Sequence, residues 1–459
     1  MLAMINVAAI GGIRNWPSAA ELGLSSVFYL LLATVVFFIP LALISAELAT
    51  AWPQRGGVFV WVKTAFGHRL GFLAAWLLWT QTVVFYPTVT SFIAGTVAYM
   101  INPELAANRL YTFVVVLICL WGATLFNLLG MKASGWFSSL CTVFGIFIPG
   151  LGIIALGCLW FFSGHPLQVP VSWSAFFPKF EGINHLVFFS SLILAYQGIE
   201  MSAVHAKEVE NPTRNYPKAI TLSAAIVVSM TILGVLSIVF SIPQGEISLV
   251  AGTMQAFTVF LNAYQLEKLV PLFAAMITLG AIGSMSTWIA GPCKGLLAAA
   301  EKGDLPPVFR KINKNGMPNN LLIIQGVIIT LICLIFLFMP TVSSAYWILS
   351  ALSVNLYLTM YLLMFAAAIW LRYKHPKHPR PYTVPGGRLG MWISASLGFF
   401  SSLFAFIIAF FPPAELSVGN VPFYIGFLVI GIMFFYACPS LILRFKKKSW
   451  ERKLSHEKL

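Results

Sequence analysis

The chain has 459 residues, 59% of them hydrophobic and only 9% charged, and its mean hydropathy is +0.87. A soluble domain of that length needs far more polar surface, so a water-soluble globular protein is excluded and lipid is the expected solvent. The net charge of +14 calls for no nucleic-acid partner, because the Lys and Arg clusters at 372–380 and 444–448 adjoin apolar segments, where they set topology and attract anionic membrane lipid.

A spanning helix needs about 20 apolar residues. Twelve such segments follow one another, at 2–22, 24–50, 70–100, 110–129, 134–162, 184–203, 217–241, 268–298, 320–339, 343–371, 391–411 and 421–443. The first is interrupted within Ala8-Ala9-Ile10-Gly11-Gly12-Ile13-Arg14-Asn15-Trp16-Pro17. The glycines free the backbone and Pro17 removes a donor, so the helix is expected to unwind there. The residues ahead of Gly11 make a half-helix of only about 15 Å, and an unusually short or missing N-terminal end is expected. Amides exposed at the start of the second half-helix attract an anionic group such as an amino-acid carboxylate. Ile10, Gly11 and Gly12 are therefore candidate binding backbone. Arg14 is the charge beside them, either facing a ligand or snorkelling toward the outer interface.

Between the second and third segments, the apolar run Val58 to Val62 is too short to cross a bilayer and is expected along the cytoplasmic interface. All six cysteines lie in apolar segments without CxxC spacing, so neither a disulfide framework nor a zinc site is indicated and core positions are expected. The sixth segment is interrupted at Gly198 and carries Glu200 two residues later. A carboxylate inside a span is costly and faces the interior of the bundle, which makes Glu200 a candidate site residue, with bonding to freed backbone, to a neighbouring helix or to Arg14 as its structural alternative. The turn Glu208 to Pro217 holds two prolines and both charge signs; Glu208 with Arg214 forms either a gate that breaks on opening or a fixed brace. Farther on, 247–261 suits a short helix folded onto the extracellular face.

All but four of the 28 Lys and Arg (Arg14, Arg109, Lys179 and Lys268) lie in or at the edge of the loops after even-numbered segments, or in the tail. Those loops and the C-terminus are expected in the cytoplasm. Two broken helices in comparable positions point to one shared site at mid-membrane depth. The expected architecture is an all-α integral membrane protein of about twelve helices, a single domain over 1–459. It divides into a first repeat (1–162), an inverted second repeat (184–371), two additional helices (391–443) and a basic tail (444–459). Inverted halves around a central site permit alternating access. No HExxH, paired-aspartate or Ser-Lys arrangement is visible in the spans, so an enzyme is not expected, nor a cofactor, a metal or an obligatory protein partner.

Several segments together resemble the amino acid–polyamine–organocation transporter superfamily, and within it the bacterial glutamate/γ-aminobutyrate antiporters. They are Gly11 to Pro17, Glu47 through Pro53 to Gly67, Tyr196 to Glu200, Glu210 to Pro217, Trp288 to Pro292 and Leu305 to Phe309. The resemblance implies amino-acid exchange across a bacterial inner membrane. It implies a substrate carboxylate at Ile10-Gly11-Gly12, an amino group at the backbone of Tyr196 to Gly198, and Trp288 as the aromatic wall. Tyr357 and Tyr361, four residues apart and so on one helix face, match a tyrosine pair along the family's path, with ordinary aromatic core as their alternative. Ser284 stands where the family's antiporters carry an acidic residue, and Arg14 where they carry a tyrosine. The fifth segment has no Lys, whereas proton-coupled relatives place one there, so exchange is expected ahead of proton symport; a solute sensor is a more distant alternative.

Overall fold

A chain with so few charges satisfies its backbone polar groups in lipid by coiling, and the computed structural model is built of helices. It describes residues 7, 10, 12–54, 56–129, 140–141, 143–178, 184–200, 212–413 and 420–450, and among these there is no strand, only an isolated bridge between Ile312 and Pro318. In chain order the helices are α1 (Trp16–Ala20), α2 (Ser25–Ala51), α3 (Val58–Phe66), α4 (His68–Ile101), α5 (Arg109–Leu128), α6 (Val143–Phe162) and α7 (Asn184–Ala195). There follow α8 (Pro212–Ser241), α9 (Gly252–Ala263), α10 (Val270–Glu301), α11 (Asn319–Phe338), α12 (Val342–Lys374), α13 (Gly387–Ile408) and α14 (Val421–Arg444). Ten helices among the described residues are long and apolar enough to cross a membrane. The expected segments missing from those ten are the first and the sixth, the two that the sequence breaks.

Both breaks have irregular backbone. Gly12 is extended (φ −66°, ψ 119°), a single 3-10 turn covers Ile13–Asn15, and α1 starts over with Pro17 in its first turn. On the other side α7 ends at Ala195, Tyr196 turns, and Gly198 takes φ +110°, a conformation open to glycine and strained for any side chain. Two further departures from α geometry are π turns, Thr34–Phe38 in α2 and Val143–Phe147 in α6. Such turns recur at functional sites.

Helix α4 runs through the centre, packed lengthwise against α10 and α12. In their most apolar windows α4 and α12 have 78% and 72% of residues buried, against 17% for α14, so α14 turns its surface to lipid. Helix α3 covers the short apolar run Val58 to Val62. All five residues are at most 6% exposed, packed against α4 and α12, while Lys63 and Thr64 stay partly exposed. Helix α9 is the short helix expected after α8, and it sits against α1: Gly252 meets Pro17, and the Thr253 hydroxyl donates to the Ile13 carbonyl at 3.3 Å. The cysteines are all free; Cys141, Cys293 and Cys333 are buried as expected, but Cys158 is exposed on the outside of α6.

Charged residues gather at the helix ends. Glu47, 1% exposed at the end of α2, accepts from Arg372 Nε at 2.7 Å and Nη2 at 2.5 Å, and from the Val384 N–H at 2.8 Å, with Arg380 Nε 3.3 Å away. That one carboxylate ties α2 to the end of α12 and to the loop leading into α13. Asp304, just past α10, similarly meets His68 at 2.7 Å and Lys446 at 3.5 Å.

Candidate functional site

The two breaks converge on a cavity of about 60 Å³, closed by α4, α6 and α10. Ile10, Gly12, Arg14 and Asn15 reach it from the first break, and Ala195 and Gln197 from the second. Helix α4 contributes Phe85 and Tyr86, α6 contributes Gly145, and α10 contributes Ser284 and Trp288. Five expected site residues therefore share one cavity: Ile10, Gly12, Arg14, Ser284 and Trp288.

Arg14 does not snorkel outward. It is 8% exposed, and its Nη1 donates to Thr88 Oγ1 at 2.7 Å, while the Thr88 hydroxyl donates to the Phe85 carbonyl at 2.7 Å. The guanidinium carbon stands 4.3 Å from the Phe85 ring centroid and 6.0 Å from that of Tyr346. Both rings offer their negative faces to the cation. Among the described residues no carboxylate lies within ion-pair distance of Arg14. A guanidinium has five N–H donors, so most remain for a group entering the cavity. Trp288, 4% exposed, packs its ring against Phe85 at 5.8 Å and completes an aromatic wall.

Glu200, Tyr357 and Tyr361 form a separate cluster, and none of them lines the cavity. Glu200 is 3% exposed; the Tyr357 hydroxyl donates to its Oε1, and the Tyr361 hydroxyl to its Oε2 at 2.9 Å. The Tyr361 oxygen in turn accepts the Gly198 N–H at 3.1 Å. The two rings stack at 4.6 Å, 20° apart. The carboxylate thus fastens the second break to α12 and makes no ion pair with Arg14. Tyr196 also points away from the cavity, stacked at 4.8 Å on Phe38, and Phe37 packs against Tyr361 at 5.4 Å; both phenylalanines come from the π turn of α2. Gly11 and Glu208 lie outside the described residues. Arg214 falls within α8, but its side chain is outside them too, so the Glu208–Arg214 gate is neither seen nor refuted.

Several residues in or beside the cavity were not singled out from the sequence. Thr88 and Phe85, which hold Arg14, carry no charge; their only signal is the intervening Pro87, an interruption inside α4. Gly145 and Gly280 face each other so closely that a Cβ on Gly145 would lie 2.1 Å from the Gly280 Cα. Small residues bring membrane helices together in this way, here at the cavity's edge.

The profile of the amino acid permease family matches residues 1–435. A protein of Legionella pneumophila described as an uncharacterized transporter is 42% identical over 99% of this chain and 97% of its own length. A glutamate/γ-aminobutyrate antiporter of Lactococcus lactis is 37% identical over 95% of this chain and 88% of its own. A probable agmatine/putrescine antiporter of the same species is 26% identical over 90% and 88%.

Proposed function

Because the chain belongs to the amino acid permease family, a multi-pass membrane protein that carries small amino-acid solutes, we propose that it exchanges one amino acid for a related amino acid or its decarboxylation product. The observation that carries this reading is the meeting of two unwound helices at a cavity whose one charged side chain among the described residues is Arg14. In our reading the backbone at Ile10, Gly11 and Gly12 takes the substrate carboxylate, and the backbone of Tyr196 to Gly198 takes its amine. Arg14, Ser284, Gln197 and Trp288 meet the rest of the solute. Tyr357 and Tyr361 act through Glu200, setting the position of the second break, and Glu208 with Arg214 closes the inner side. The chemistry is reversible hydrogen bonding and ion pairing with no covalent intermediate, so no enzymatic step and no cofactor enters. A cation fixed in the cavity repels a basic solute, which favours an acidic or neutral substrate over agmatine-like amines.

In our reading the protein sits in a bacterial inner membrane with its C-terminus on the cytoplasmic side, which the basic loops support. Purified protein in liposomes tests the reading. Uptake of a labelled amino acid is expected only with amino acid inside the vesicle, and a thermal-shift screen of the twenty amino acids, their decarboxylation products and polyamines identifies the pair, since a bound ligand raises Tm by mass action. Equal uptake into empty vesicles, or stabilisation by polyamines alone, overturns it.

A further inference from the structure

Arg14 has two aromatic faces and one hydroxyl as partners, and no anion among the described residues. The elements packed around it present Thr88, Phe85 and Tyr346, and the cavity they share with it adds Gln197, Ser284 and Trp288, none of which carries negative charge. Glu200 is committed to two tyrosine hydroxyls. A buried cation without a counter-charge is among the costliest arrangements a protein interior can hold, and closing a site away from water raises that cost. To reorient, loaded or empty, a carrier passes through a state closed to both sides. The loaded carrier closes over Arg14 together with a carboxylate of the solute, one of which an acidic amino acid keeps even after decarboxylation; the empty one closes over Arg14 alone.

We infer that Arg14 is the residue that makes exchange obligatory, by raising the barrier to reorientation of the empty carrier and not that of the loaded one. The inference rests on the exchange reading above and adds to it the physical source of the coupling. Arg14 thereby acts twice, as a solute contact and as a lock against net leakage. Thr88 and Phe85 are positioning residues for the lock, since they keep the guanidinium in the cavity and out of reach of the membrane surface.

The test compares labelled amino-acid efflux into substrate-free medium with efflux into medium containing the counter-substrate, for wild type, R14Q and R14K in liposomes. In wild type the exchange rate exceeds net efflux by a large factor. R14Q, which removes the charge, is expected to lower that ratio by about 100-fold, the size of effect that an uncompensated buried charge commands, even where its affinity for solute falls. R14K keeps the charge and keeps the ratio within about threefold of wild type. A second measurement needs no variant: formate or acetate supplies a small carboxylate that pairs with Arg14, so either is expected to speed net efflux from wild type several-fold, and acetamide, uncharged and of the same size as acetate, is not. A folded R14Q that exchanges as tightly coupled as wild type overturns the inference, as does, where R14Q fails to fold, a wild-type net efflux indifferent to formate and acetate. Wild type that carries amino acid equally with and without counter-substrate instead removes the exchange reading on which the inference stands.

Discussion

At the scale of single residues, the site separates two ionisable groups that a linear sequence sets side by side in importance. Arg14 faces the cavity; Glu200 faces tyrosines. Tyr361 is doubly engaged, donating to Glu200 and accepting from Gly198. Tyr361→Phe therefore strips a donor from a buried carboxyl group and leaves a buried N–H without a partner, a loss of about 2 kcal/mol. The expected outcome is a lower Tm and slower exchange together, measured on the same preparation. Thr88→Val, by contrast, removes only the hydroxyl that steers Arg14. It is expected to raise the KM for the preferred solute several-fold with a change in Tm much smaller than that of the Tyr361 variant. Arg14 and Gly12 were legible beforehand because a charge or a glycine stands out inside an apolar run, and Ser284 through the family resemblance alone. Phe85, Gln197 and Gly145 were not, since each is an unremarkable residue until its helix is rotated against its neighbours.

At the scale of elements, helix contacts at the cavity's edge depend on the absence of side chains. Gly145, in the π turn of α6, lies against Gly280 of α10, and Gly234 of α8 receives the Trp16 ring at the start of α1, where an added Cβ would sit 2.3 Å from the ring. Gly145→Ala must push α6 and α10 apart, at a cost of about 1–3 kcal/mol, and deform the cavity between them. Gly122 on α5 has nothing within 4 Å of such a Cβ, so Gly122→Ala serves as the matched substitution. Loss of exchange and of thermal stability is expected for the first and neither for the second. Helix α3 belongs at this scale as well. An apolar run too short to cross the membrane still buries Val58 to Val62 against α4 and α12 and leaves Lys63 and Thr64 partly exposed.

At the scale of the molecule, the ends of distant helices are fastened by single carboxylates. Glu47 holds α2, α12 and the loop before α13 through a bidentate arginine, a second arginine and a backbone amide. Paired geometry of this kind is stronger than an ordinary hydrogen bond, and removing one partner strands the other in a buried place. Glu47→Ala is expected to cost about 3–5 kcal/mol. In a double-mutant cycle with Arg372→Ala the combined loss should fall well short of the sum, read from thermal unfolding in detergent; strict additivity would mean that the pair contributes nothing as a pair.

What the sequence by itself determined is where the chain crosses the bilayer and where two crossings fail to stay coiled. Lipid acts on each segment separately: it tests apolar length and backbone satisfaction residue by residue, so the answer can be read one segment at a time. Only the tertiary structure decided that the two breaks open onto one cavity, that Thr88 and Phe85 hold Arg14 there without a carboxylate, and that Glu200 turns to Tyr357 and Tyr361. Those outcomes rest on distances and rotations between helices far apart in the chain, and in a core where nearly every side chain is apolar, no pattern along one helix specifies which of its faces meets which neighbour.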